Sequence, residues 1–115
     1  MIYGAKSITR FNQFKDEDGD PAFEERVILL HAENQSQAIE IAEKEAIEYA
    51  DKNNGIHLEW IAVYEAKNSQ IIFKGTQEVY SIYRHDDSSD EDYLSYFHDT
   101  GAEKTTEYNP SKSNQ

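Results

Sequence analysis

The chain of 115 residues carries 23 acidic against 11 basic side chains, a formal charge of −12, and no cysteine. A field of that sign repels phosphate backbones and anionic lipid headgroups, which disfavours nucleic-acid and membrane-surface binding and favours a basic protein partner. Without cysteine there is no disulfide, thiolate nucleophile or cysteine metal site; a cytoplasmic setting is favoured, and the length fits a single core.

The residues from Met1 to Lys6 lack the basic-then-apolar pattern of a signal peptide, and no later apolar run is long enough to span a bilayer. Ile2 to Phe14 and Phe23 to Ala32 are β-prone runs joined by the polar turn Lys15-Asp16-Glu17-Asp18-Gly19-Asp20-Pro21, and they read as a hairpin. In the second run Phe23, Val27 and Leu29 share a face with Glu25 and His31. Ile28, Leu30 and Ala32 share the other with Glu24 and Arg26. Apolar residues on both faces predict a central strand, covered by a helix on one side and by something less complete on the other.

That helix is predicted to begin at an Asn34 cap, with Gln37 placed for a reciprocal contact, and to end at Asn53-Asn54-Gly55. Its apolar stripe is Ala38, Ile39, Ile41, Ala42, Ala46, Tyr49 and Ala50. Glu40 and Lys44, and Glu48 and Lys52, sit at the favourable spacing on the opposite face. A third strand over Ile56 to Ala66 alternates Ile56, Leu58, Trp60, Ala62, Tyr64 and Ala66 against His57, Glu59, Ile61, Val63 and Glu65. The run Ile71-Ile72-Phe73 precedes Gly75, and Glu78 to Arg84 supplies the last strand. The expected fold is α+β: a mostly antiparallel four-stranded sheet with one main helix, in the order ββαββ, followed by an acidic C-terminal extension.

Composition shifts after residue 85. Residues 1–85 hold 15 acids and 9 bases, whereas residues 86–115 hold 8 acids and 2 bases, so half of the excess lies in the last quarter. This sets a compact domain at 1–85 and an acidic, partly disordered extension at 86–115, with an aromatic segment at 93–97 that either docks as a helical turn or two or serves as an adhesive patch.

The strand Phe23-Glu24-Glu25-Arg26-Val27-Ile28-Leu29-Leu30, the opening Tyr3-Gly4-Ala5-Lys6, the helix alanines Ala38, Ala42 and Ala46, the Trp60 strand and the closing Glu78-Val79-Tyr80-Ser81 together resemble a bacterial family classed as domain of unknown function 4288. The resemblance covers about residues 3–84, with the extension after Asp86 beyond it. It implies a fold and a size and transfers no activity.

Chemical motifs are sparse. His31, His57, His85 and His98 show no metal-ligand spacing, and no Gly-x-Ser-x-Gly turn locates a nucleophile. The five glycines are dispersed, which argues against a phosphate cradle. Glu24 and Glu25 point to opposite faces and cannot pair with each other, but Glu25 could meet Glu59 or Glu65 across neighbouring strands; otherwise these carboxylates belong to a solvated sheet face. Asp16-x-Asp18-Gly19-Asp20 and Asp86-x-Ser88-x-Asp90-x-Asp92 offer alternating oxygen ligands without the glycine and closing glutamate of a dedicated calcium loop. No metal and no cofactor is therefore expected.

Aromatic residues carry the binding argument. Tyr3, Phe11, Tyr64, Tyr80, Tyr83, Tyr93, Tyr96 and Phe97 exceed what one helix can cover, and Trp60, Tyr64 and Phe23 are assigned beneath it. The expected partner surface is Asp86, Asp87, Asp90, Glu91, Asp92, Tyr93, Tyr96 and Phe97. The function these features favour is a non-enzymatic acidic protein-binding domain, such as an immunity or inhibitor protein neutralising a basic toxin or nuclease. A general regulatory interaction module and a metal-assisted hydrolase using sheet-face carboxylates are the alternatives, and an edge strand offers a route to a homodimer.

Overall fold

The computed structural model describes residues 1–67, 72–98 and 106–108; the side chains of residues 96–98 and 106–108 lie outside that description, as does Ile71 of the expected apolar run. The elements are β1 (Ile2–Phe11), β2 (Ala22–His31), α1 (Gln35–Lys52), β3 (Ile56–Glu65), β4 (Thr76–His85), α2 (Asp90–His98) and β5 (Thr106–Tyr108). All strand pairs are antiparallel, in the order β4-β2-β1-β3-β5. The α+β fold with one main helix is as the sequence predicts; the short β5 adds a fifth strand against Ile61–Val63 of β3.

The β1–β2 hairpin pairs without interruption from Ile2↔His31 to Phe11↔Ala22. Its turn closes on Asp16, whose Oδ1 accepts from the backbone N–H groups of Asp18 and Asp20, both at 3.0 Å, while Gly19 takes a φ of 82° that other residues resist. Phe14 lies outside the strand and its ring packs on Phe11, with 5.3 Å between centroids. Helix α1 starts where Asn34 Oδ1 accepts from Gln37 N–H at 2.9 Å. Gln37 Oε1 in return accepts from the N–H of Glu33 at 2.6 Å, one residue earlier than a capping box requires.

Two cores flank the sheet. On one face Tyr3, Ala5, Ile28, Leu30, Ile61 and Val63 pack under the α1 alanines Ala38, Ala42 and Ala46. On the other, Ile8, Phe23, Leu58, Trp60 and Ala62 pack with Tyr93, and Leu94 joins at the margin. The assignment of Trp60, Tyr64 and Phe23 beneath the main helix is therefore corrected. Alternation put Trp60 opposite Ile61 and Val63 correctly, but it is the Ile61 and Val63 face that α1 covers. Tyr64 is 38% exposed, and its ring closes over Gly4, its cross-strand partner, where an added Cβ would come within 2.5 Å of the ring.

The aromatic segment docks as a helix. Tyr93 is fully buried and stacks on Phe23 with ring centroids 4.0 Å apart and planes at 10°. The packed body thus reaches beyond the boundary expected at residue 85, because a tyrosine finds the apolar gap that the sheet leaves open on this face. Residues 99–105 and 109–115 of the expected extension lie outside the described residues.

A polar row crosses the α1 face of the sheet, Tyr83↔Glu24↔Thr9↔His57. Thr9 Oγ1 and both His57 ring nitrogens are buried with no hydrogen-bond partner among the described residues. Burial lowers the His57 pKa, outweighing the opposing influence of the Glu59 charge. The unfolded chain therefore takes up this proton first, and His57 contributes stability above its unfolded pKa of about 6.5 that is lost as the pH falls. Between pH 7.5 and 5 the unfolding midpoint of the native chain should drop further than that of a folded His57→Phe variant. Parallel pH profiles would refute this.

Candidate functional site

Glu24, Glu25 and Arg26 occupy the interior of β2 and are 1%, 7% and 7% exposed. The solvated sheet face expected for these residues is corrected: β2 is flanked by β1 and β4, with α1 above one face and α2 below the other. A buried charge is tolerated only with compensating partners: Glu25 and Arg26 are ion-paired, and Glu24 accepts from the Tyr49 hydroxyl. On the α1 face the Arg26 guanidinium donates two bonds to Glu45, at 2.6 and 2.7 Å, and a third to Glu78 at 2.6 Å, while its plane lies 3.8 Å from the centre of the Tyr49 ring. Burial opposes its charge, yet these bonds hold its pKa above the usual arginine value. Tyr49 donates to Glu24 at 2.6 Å; burial first, then this carboxylate, push the phenol pKa upward.

On the α2 face Glu25 accepts from Arg84 at 3.0 Å and from the Tyr80 hydroxyl at 3.4 Å, with Lys6 Nζ at 3.7 Å. Lys6 also sits 5.6 Å from the centre of the Trp60 ring. Arg84 bonds the Tyr93 hydroxyl at 3.3 Å. That hydroxyl is the main reason for the raised Arg84 pKa; burial opposes it and Glu25 adds to it. Glu25 does not meet Glu59 or Glu65. Strand β1 lies between β2 and β3, so these carboxylates are not on neighbouring strands, and Glu59 stands in a bulge opposite Ile8 with a φ of 56°.

The two acidic stretches, nearly seventy positions apart in the chain, converge at one corner. Antiparallel pairing of β2 with β4 brings the end of β4 back to the β1–β2 turn: the Asp86 N–H donates to Pro21 O at 3.3 Å, and His85 Nδ1 lies 3.2 Å from Asp20 O. Asp16, Asp18 and Asp20 each bring a carboxylate oxygen within 4.8 Å of the others. The Asp20 pKa is raised by burial first and then by the charges of Asp16, Asp87, Asp18 and Asp86. The neighbouring charges thus add to burial in disfavouring the Asp20 carboxylate, a repulsion that an incoming cationic group relieves. Nothing local in either stretch announces the other; what joins them is the register of β2 with β4.

Of the expected contact residues, Asp87, Glu91 and Asp92 are exposed, Asp86 is half-buried, and Asp90 forms an ion pair with Arg10. Asp90, Glu91 and Asp92 form the first turn of α2, where the helix dipole favours negative charge. Tyr93 is corrected from contact residue to core residue by its complete burial. The side chains of Tyr96 and Phe97 lie outside the described residues. Tyr80 and Tyr83 are exposed on β4, whereas Tyr3 and Phe11 are buried.

With the buried β2 charges and the docked α2 in view, comparison by family is decisive: the model for a domain of unknown function, DUF4288, matches residues 2–93. The chain belongs to the DUF4288 family. The match ends at Tyr93, so the DUF4288 unit takes in the acidic segment after β4 and the aromatic plug on Phe23, further than residues 3–84. No curated protein and no solved structure matches. Among the described residues, no helix is long and apolar enough to cross a membrane.

Proposed function

We propose that this DUF4288 chain is a non-enzymatic acidic protein-binding domain that receives a basic protein on the corner formed by Asp16, Asp18, Asp20, Asp86 and Asp87 and extended by Glu91 and Asp92. The observation that supports this reading is the convergence of the two acidic stretches, whose charges add to burial in raising the Asp20 pKa. Carboxylates gathered at this density steer a cationic surface into encounter and gain most when its Lys or Arg groups arrive. The narrower form of the proposal is an immunity or inhibitor protein that covers the basic cleft of a toxin or nuclease; a toxin-like gene beside this one would favour it over a general regulatory module.

Capture from the native host supplies the partner, and stopped-flow binding then tests the surface. Replacing Asp16, Asp18, Asp86 and Asp87 by Asn should slow association about ten-fold at ~0.05 M salt, with the difference shrinking toward ~0.5 M. Association unchanged at low salt would remove the corner as the contact surface.

A further inference from the structure

Among the described residues, strand β4 ends the sheet, hydrogen-bonded to β2 alone, and every residue from Thr76 to His85 except Arg84 is exposed. Buried charges clamp it in place from both faces, Arg26 to Glu78 on one and Glu25 to Arg84 on the other. Long edges are usually blunted by lysine or proline. Strand β4 has neither; a bulge at Val79 blunts it in part, and it presents Val79, Tyr80, Ile82 and Tyr83, at 54%, 42%, 42% and 51% exposure.

We propose that β4 pairs antiparallel with β4 of a second copy of this chain, about a two-fold axis through Ser81. This surface is centred on the β4 edge, shares only Asp86 and Asp87 with the acidic corner, and does not depend on the corner's assignment. The four exposed apolar residues are placed symmetrically about Ser81, at one and two positions on either side. A two-fold axis normal to the sheet keeps its faces in common, so Tyr80 meets Ile82 of the second copy twice over on the α2 face, and Val79 lies beside Tyr83 at each end. Such aromatic and β-branched cross-strand pairs are the stabilising unit of a sheet.

Charge favours a copy over a basic partner at this edge. Between Ile72 and His85 the charged residues are Lys74, Glu78 and Arg84, so an otherwise strongly acidic chain is close to neutral here and like-charge repulsion is least. Antiparallel pairing brings the residues just before β4 in each copy, Lys74 among them, toward those just after β4 in the other, Asp86 and Asp87 among them.

Sedimentation equilibrium of the full chain from ~10 µM to ~1 mM tests this. The expected result is a mass rising toward twice the 13.3 kDa of the chain. Ile82→Lys and, separately, Val79→Lys should hold it at the single-chain mass while the circular dichroism spectrum stays native, both positions being exposed. Lys74→Glu should weaken association several-fold at low salt, and adding Asp86→Lys and Asp87→Lys should restore it. Hydrogen exchange should show protection of β4 amides that grows with concentration. A single-chain mass at ~1 mM, a dimer that survives both lysine variants, or protection of β4 independent of concentration would overturn the proposal, the last by placing another part of the same chain on the edge.

Discussion

Replacing Trp60 by Ala should lower the unfolding free energy by about 3–5 kcal/mol, the range for emptying a large aromatic site in a packed core. Trp60 is 3% exposed and packs among Ile8, Phe23, Leu58, Ala62 and Tyr93, with Lys6 over its ring. Its neighbours come from three strands and α2, so no single element can move to fill the space. Chemical denaturation with an unchanged slope would give the loss directly. A loss below about 1 kcal/mol would mean that α2 does not seal this face.

Tyr93→Ala is expected to cost a similar amount, again about 3–5 kcal/mol, but with a different distribution of damage. The ring holds α2 to the body through its stack on Phe23, and the hydroxyl meets Arg84 beside the buried Glu25 carboxylate. Removing the ring should detach the turn that carries Asp90, Glu91 and Asp92, so amide protection in α2 should fall well before global unfolding. Tyr93→Phe keeps the stack and loses only the polar contact; about 0.5–1.5 kcal/mol is expected from it. Equal losses in the two variants would show that the hydroxyl, rather than the ring, is the anchor.

The strands and α1 were legible in the sequence because their signals are local: β-prone runs around a polar turn in β1 and β2, period-two alternation in β3 and β4, the Asn34 cap, and alanines every fourth position in α1. What alternation does not reveal is which face receives the helix. Trp60 and Ile61 are both apolar, and only the order β4-β2-β1-β3 with the α1 crossover decides that Ile61 lies under the alanines. For the same reason Glu24, Glu25 and Arg26 read as surface residues. Their burial depends on partners at Glu45, Tyr49, Glu78 and Arg84, each contributed by an element distant in sequence. The acidic half of the site was visible as composition. Its joining to Asp16, Asp18 and Asp20 was not, since it follows from the pairing of β2 with β4.

The alanine stripe of α1 makes its contact with the sheet asymmetric toward change. Ala38, Ala42, Ala46 and Ala50 offer a single methyl each, all at most 2% exposed, so truncation there has almost nothing to remove. Enlargement is another matter, because a bulkier side chain would have to lift the helix off Leu30, Ile61 and Val63 and would pull Glu45 away from Arg26 and Tyr49 from Glu24. The four positions therefore act as a spacer of fixed thickness. Variation among DUF4288 sequences should be confined here to glycine, alanine and serine, even where the neighbouring strand residues exchange freely among large aliphatic types.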